Sequence, residues 1–264
     1  MNFITFFLVF IFGTIIGSFL NVVAFRFKTG RTVGGRSFCF SCGKTLNAFE
    51  LIPVFSYLFQ KGKCKTCKSP ISSQYPLVEL ITGIVFGIVA LKVASIFWFV
   101  MYCTAFSILI VIAIYDSKHK IIPDSLAFLF AILGLISMLN IHWNNIITFD
   151  SLVAFLSGPI LFLPFFLLWL VSGGFWMGLG DAKLAIGIGW LLGLASGLSA
   201  VIIGIWAGAL WSVFQIILGK YGKRKKLSFK SEIPLAPFLI FGTFVAFVFN
   251  PDIFSVNLWL SLIF

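Results

Sequence analysis

Acid is scarce in this chain: eight Asp and Glu stand among 264 residues, against 19 Lys and Arg. Charged residues make up only 10% of the composition, whereas 60% is hydrophobic and Phe alone occurs 34 times. A soluble domain of this length cannot hide so much apolar surface in one core. The shortage of charge therefore excludes that class and makes the bilayer the natural solvent. No repeat with a period of about 20–50 residues is present, which excludes a solenoid. No Lys or Arg precedes the first apolar run and no small-residue cleavage site follows it, so that run reads as a span rather than a secretory signal. A glycine fingerprint of the soluble nucleotide-binding kind is also missing.

What is present is a series of apolar runs. The first covers residues 2–25, and a polar, basic segment takes 26–75. Seven further helices are expected at 76–92, 95–115, 124–140, 151–172, 182–195, 198–219 and 235–262, with Gly193, Ser196 and Gly197 blurring the border between the sixth and seventh spans. The expected fold is an all-α polytopic membrane protein of about eight transmembrane helices. Its organisation is a first helix (1–25), a small cytoplasmic segment (26–75) and a seven-helix membrane domain (76–264).

The basic residues orient these spans. Arg26, Lys28, Arg31, Arg36, Lys44, Lys61, Lys63, Lys65 and Lys68 lie in the polar segment, Lys118 and Lys120 in a later break, Lys183 beside another, and Lys220, Lys223, Arg224, Lys225, Lys226 and Lys230 in the last. With both termini outside, only Lys92 falls on the opposite face. Positive charge is retained in the cytoplasm, so the basic face is the cytoplasmic one. The net charge of +11 is then a topology signal that also attracts anionic headgroups. The partner it implies is the lipid bilayer and not nucleic acid.

Topology in turn locates the acids. Asp116 ends the third span in AIYDSKHKIIPDS, Asp124 follows Pro123, Asp181 opens the sixth span, and Glu79 lies one turn inside the second. All four fall at one cytoplasmic membrane level. Two carboxyls within hydrogen-bond reach do not both ionise cheaply and so share a proton. One can then take a proton from water while the other polarises a peptide carbonyl, which is aspartic-protease chemistry. Gly178 and Gly180, lacking Cβ atoms, allow backbone or substrate to come close beside Asp181.

Structural roles stand beside the chemical ones. Asp124, after a proline and before an apolar run, suits a helix N-cap better than a catalyst. Glu79, soon after Pro76, sits where a helix start favours an acid. Asp181 alone fits either role. Asp116 is different, because it lies at a helix C-terminus where the macrodipole disfavours negative charge unless Lys118 or Lys120 compensates. His119 reads as a loop residue at headgroup level rather than a general base.

The polar segment carries a second pattern. Cys39-Phe-Ser-Cys42 and Cys64-Lys-Thr-Cys67 are two C-x2-C pairs separated by 21 residues. Two such pairs complete a tetrahedral sulfur shell suited to Zn²⁺, and Gly43 and Gly62 fit the turns. A cytoplasmic position argues against disulfides. Four protein ligands leave no open position, so the role of the zinc is structural, supplying folding energy to a segment with little core. Cys103, in mid-span, reads as a small apolar residue.

These stretches resemble a known family. GLGD at 178–181 is similar to the GxGD signature of intramembrane aspartyl proteases. GSFLNVVAFR at 17–26, LIPVFSYLFQKGKCKTCKSPISSQYPLVEL at 51–80, DSKHKIIPD at 116–124 and GLGDAKLAIGIGWLLG at 178–193 together resemble the bacterial type IV prepilin peptidases, in the family's order and over nearly the whole chain. The resemblance implies that Asp116 and Asp181 are the catalytic pair and gives Asp124 a supporting place; Glu79, Gly178, Gly180 and Lys183 are the other residues expected to support the site. It also implies the four-cysteine site, although Phe40-Ser41 stands where the family often has a proline. The implied substrates are prepilins or pseudopilins, cut after a glycine and before a residue that is usually phenylalanine. Many members then methylate the new N-terminus with S-adenosylmethionine, and the 26–80 region is shared with those members, though no residue here marks a methyl-donor site.

Two other functions fit the residues. One is a proton-coupled transporter using Asp116 and Asp181 as a relay; such sites tend to lie at the midplane within repeats. The other is a non-catalytic pilus or secretion assembly factor, for which Asp181→Asn would preserve activity in vivo. The four cysteines and the Pro-Asp segment favour the bacterial peptidases over presenilin-like proteases. The particular pilin, the pathway and the oligomeric state are not encoded in these motifs.

Overall fold

The computed structural model describes residues 2–30, 32, 34–142, 148–221 and 234–256. Among these the regular elements are all helices, with two isolated β-bridges besides, and the chain divides into two units, Met1–Val111 and Ile112–Phe264.

In the first unit, α1 (Phe3–Arg26) runs antiparallel to α3 (Gln74–Lys92). The contact is made by two facing Gly-x-x-x-Gly steps, GTIIG at 13–17 and GIVFG at 83–87. A Cβ on Gly13 would stand 2.8 Å from Gly83 Cα, and one on Gly17 would stand 2.8 Å from Glu79 Cα. In lipid there is no hydrophobic drive between helices, so close backbone approach through small residues supplies the packing. The opposite face of α1 is left bare, with Phe3, Ile4, Leu8, Phe12 and Phe19 all exposed. Arg26 closes α1, and its guanidinium donates to the carbonyls of Thr32, Gly34 and Arg36, which folds the polar segment back on the helix end. That segment holds a short 3-10 turn (Ala48–Glu50) and α2 (Phe55–Phe59). The next helix, α4 (Ile96–His119), begins in this unit and ends in the second.

The second unit contains α5 (Asp124–His142), α6 (Phe149–Ser172), α7 (Leu179–Tyr221) and α8 (Ala236–Phe249). Helix α7 is not straight, for Gly193 has φ 78° and ψ 179°. A Cβ on Gly197 would come within 3.5 Å of Gly189 Cα, whereas eight residues of straight helix span about 12 Å. The chain therefore doubles back, and α7 is two antiparallel helices, 179–192 and 194–221. The sixth and seventh expected spans are borne out, with the reversal at Gly193.

The first half of α7 is the buried centre of this unit: Ala182, Leu184, Ala185 and Ile188 are inaccessible. It meets α5 where Gly134 faces the Gly187 carbonyl, and α6 where Gly189 faces Ser157. Ser157 Oγ donates to the Gly189 carbonyl at 2.8 Å, and Trp190 Nε1 to the Phe155 carbonyl at 2.9 Å. The second half meets α8 through Gly204 and Gly242.

Six stretches among the described residues are long and apolar enough to cross a membrane, with α7 counted once and the shorter α8 besides. Counting α7 as two gives the eight apolar helices expected of a multi-pass membrane protein. The last one needs correction. A span over 235–262 was expected, but α8 stops at Phe249 because Asn250 adopts the left-handed conformation and Pro251 follows. The remainder of that span, 257–264, and most of the basic break at 220–233 lie outside the described residues.

Candidate active site and metal centre

The Asp116 carboxylate is 5% exposed, three residues before the end of α4. Its Oδ2 accepts the backbone N–H of Ala236, the first residue of α8, at 3.3 Å. The dipole of α4 disfavours an acid there, and the positive end of a different helix, 120 residues further along, compensates. Local sequence held no sign of this partner. Lys120, at φ 54°, then closes α4 with its N–H on the Asp116 carbonyl. His119 is the last residue of α4 rather than the loop residue expected, and its ring lies against that of Tyr115 one turn earlier, with centroids 4.4 Å apart.

From there the chain passes through Ile122 and Pro123 into α5. Ile122 is buried against the start of α7, where a Cβ on Gly180 would stand 2.8 Å from Ile122 Cβ. Gly180 thus makes room for the Ile122 side chain. Gly178 does not share that role: the nearest atoms to a Cβ there are Asp181 Oδ2 and Gly180 N, both at an ordinary 3.9 Å. The Asp181 carboxylate consequently turns back towards Gly178, in the first turn of α7, half-buried and within electrostatic reach of Asp116. Lys183 Nζ donates to Asp124 Oδ1 at 2.7 Å, tying the start of α7 to the start of α5. Asp124 is the first residue of α5, and its carboxylate serves this cross-helix pair as well as the helix start. Asp116, Asp181, Asp124, Lys183 and Gly180 are therefore gathered from three helix ends.

Glu79 works within the first unit. It is buried, and its Oε2 accepts the N–H of Val54 at 2.7 Å. Val54 has φ 62°, a conformation costly for a β-branched residue, so the carboxylate holds a strained turn. That agrees with the structural role favoured for it. Glu50 was missed from sequence. Its Oε2 accepts the Asn47 N–H at 2.9 Å and its Oε1 meets Lys44 Nζ at 3.5 Å, linking the first cysteine turn to the 3-10 helix. The Asn47 N–H holds its carboxyl below the usual carboxylate range. Asn47-x-x-Glu50, a capping-box spacing, was the available signal.

The four cysteines occupy two hairpins of the same design. Cys39 N–H donates to the Lys44 carbonyl and Gly43 N–H to the Cys39 carbonyl; Cys64 N–H donates to the Ser69 carbonyl and Lys68 N–H to the Cys64 carbonyl. A bridge closes each, Phe38 with Thr45 and Lys63 with Pro70. The left-handed position is filled by Gly43 at φ 71° in one and Lys68 at φ 58° in the other. Gly62, which the sequence suggested for the second turn, lies ahead of it at φ 66°, against the Tyr57 ring.

The ligand atoms of Cys39, Cys42, Cys64 and Cys67 all lie within 4.8 Å of one another, and Cys39 Sγ is 3.7 Å from Cys67 Sγ. Tetrahedral thiolates at a Zn–S length of about 2.3 Å stand about 3.8 Å apart, so the cluster could hold a metal ion once its wider sulfur separations close by up to about 1 Å. The electrostatics suit a cation. The N–H groups of Cys42 and Ser41, with the Ser69 hydroxyl, bring the Cys39 thiol down to about 6. The Ser69 hydroxyl and N–H also lower Cys67. Cys42 stays high, at about 11: the Lys44 N–H favours its thiolate, but desolvation and the neighbouring sulfurs outweigh that. Sulfurs this close cannot all ionise until a cation neutralises them.

Both centres fall within regions shared with known proteins. The Bacterial Peptidase A24 N-terminal domain matches residues 11–93, which include the four cysteines, and the Type IV leader peptidase family matches residues 103–213, which include Asp116 and Asp181. A Prepilin leader peptidase/N-methyltransferase of Bacillus subtilis (strain 168) is 32% identical over 260 residues, spanning 97% of this chain and 98% of that protein. The chain belongs to the type IV leader peptidase family. Proteins of the same name from Neisseria gonorrhoeae (30% identical, 95% of this chain and 93% of that one) and Pseudomonas aeruginosa (29%, 91% and 89%) are similar over nearly their whole lengths. No solved structure matches the chain.

Proposed function

We propose that this membrane enzyme cleaves the leader peptides of prepilins or pseudopilins, with Asp116 and Asp181 as its catalytic pair. The assignment is supported by Asp181 lying within electrostatic reach of Asp116, with Gly180 against Ile122 and Lys183 on Asp124 bringing the start of α7 to the segment that follows α4. The peptidase family and the names of the relatives support the same reaction. In this reading the ionised carboxylate takes a proton from water as the water oxygen adds to the peptide carbonyl. The second carboxyl hydrogen-bonds the carbonyl oxygen, and collapse of the tetrahedral adduct returns a proton to the leaving amine. The buried Asp116 is oriented by the Ala236 N–H; Asp181 is only partly buried, in the first turn of α7.

The membrane domain at 76–264 carries this site, and the 26–75 segment holds a structural Zn²⁺ between Cys39, Cys42, Cys64 and Cys67. Both lie on the cytoplasmic face of a bacterial membrane with the termini outside. A second step, methylation of the new N-terminus by S-adenosylmethionine, is supported by the names of the relatives.

The test is to incubate detergent-purified protein with a synthetic prepilin, with and without S-adenosylmethionine, and weigh the products. A mass corresponding to loss of the leader is expected, with a further methyl increment when the donor is present. Asp116→Asn and Asp181→Asn should each lower cleavage by roughly 10³-fold or more. The rate should follow a bell-shaped pH profile belonging to the pair jointly. Full cleavage by either variant would overturn the pair, and no cleavage by the unchanged protein would leave the relay or assembly role standing.

A further inference from the structure

The polar segment presents an apolar face on a basic surround. Phe55, Leu58 and Phe59 are 61%, 64% and 84% exposed, and their i, i+3, i+4 spacing puts them on one side of α2. Phe49, Leu51 and Ile52, just before, are exposed as well. Lys61, Lys63, Lys65 and Lys68 follow immediately, all exposed.

A hydrogen bond ties the start of α2 to a membrane-spanning helix. Val54, the residue that precedes it, gives its N–H to Glu79. Glu79 lies five residues inside the membrane-spanning α3, about 7 Å along the helix axis from its start. The apolar face is therefore tethered at the mouth of a span, where water gives way to lipid, and not out in solution.

We propose that residues 49–59 dock into the surface of an anionic phospholipid leaflet. Phe55, Leu58 and Phe59 enter the acyl boundary while Lys61, Lys63 and Lys65 meet phosphate groups. Charge complementarity selects this occupant: a peptide with a basic leader would be repelled by the same lysines. The inference needs only that the chain spans a membrane, and stands whether or not the peptidase assignment holds.

Amide hydrogen exchange on the full chain tests it, in nanodiscs of phosphatidylcholine alone and of phosphatidylcholine with phosphatidylglycerol. Peptides covering 49–63 should exchange about tenfold more slowly in the anionic discs, and added salt should shrink the difference. Leu58→Asp with Phe59→Asp should remove the protection while metal content is retained. Lys61→Gln with Lys63→Gln and Lys65→Gln should abolish the difference between the lipids, and decides the matter if the aspartate variant fails to fold. Equal exchange of the unchanged protein in both lipids would overturn the proposal. So would protection that appears only on adding a prepilin peptide, or that rises with protein concentration as a second copy would require.

Discussion

Cys39, Cys42, Cys64 and Cys67 come from one short stretch, each pair inside a hairpin of its own, whereas Asp116 and Asp181 come from separate helices and are joined by contacts distant in sequence. The sulfur cluster rests on local backbone turns and on the ion they can hold, with few buried side chains: Cys64 is the one ligand that is itself buried. The acids rest on helix packing, through Gly180 against Ile122, Lys183 on Asp124, and the α8 N-terminus on Asp116. A site built from turns should fail when its ion is removed. One built from packed helices should fail when a helix is pushed away.

The largest effect expected tests the first half of that contrast. Cys39→Ser, or a strong chelator, should release the metal and unfold the hairpins, because a structural zinc supplies about 10–16 kcal/mol in small zinc domains. Metal analysis should fall below one ion per chain, and exchange protection over 36–48 and 62–71 should vanish. Protection over 179–192 should stay. Unchanged metal content in the variant would refute the four-sulfur site, and loss of protection in α7 would show that the two constructions are not independent.

Next comes a pair of glycines that sequence treats alike. Gly180→Ala drives a methyl group into Ile122 at 2.8 Å, and overpacking of this kind costs about 1–3 kcal/mol. Gly178→Ala meets nothing closer than 3.9 Å and should change stability by no more than about 0.5 kcal/mol. Thermal unfolding and leader cleavage measured on both variants separate them. Equal losses would mean that substrate, rather than Ile122, needs the space beside Asp181.

The contrast also explains what could be read from the chain. Hydropathy located the apolar helices because each run is long, and the C-x2-C pairs were plain because their ligands sit within a few residues of one another. Asp116 and Asp181 could be singled out by membrane depth and by the resemblance, but their partners could not. The Ala236 N–H belongs to α8, and nothing near Asp116 in sequence points to it. The end of α8 was misjudged because apolar content continues past Asn250 and Pro251, while backbone geometry does not. The facing GTIIG and GIVFG steps of α1 and α3 were legible as small-residue spacings, yet their pairing is a tertiary fact.

A smaller effect concerns acidity. Cys39 is depressed from 9.0 to about 6 by the Cys42 and Ser41 N–H groups and the Ser69 hydroxyl. A depressed thiol favours the folded turn fully above its ordinary value, and that contribution is lost as pH falls through about 6. Metal affinity measured against a competing chelator should therefore decline on acidification and steepen below about pH 6, where one more proton must be displaced. Ser69→Ala should move that steepening to higher pH. A slope that passes through pH 6 unchanged would mean that the Cys39 turn does not prepare its thiolate.

The smallest effect compares the two hairpins with each other. They match residue for residue, but the left-handed position is Gly43 in one and Lys68 in the other. A side chain in that conformation costs roughly 1–2 kcal/mol, and glycine returns part of the relief through the greater freedom of the unfolded chain. Lys68→Gly should thus stabilise the second hairpin by about 0.5–1 kcal/mol. Gly43→Lys should destabilise the first by a similar amount. Chelator concentration at half-release of the metal reads both changes on one scale. If the substitutions fail to move it in opposite directions, the ion alone sets the stability of the segment and the turns merely follow it.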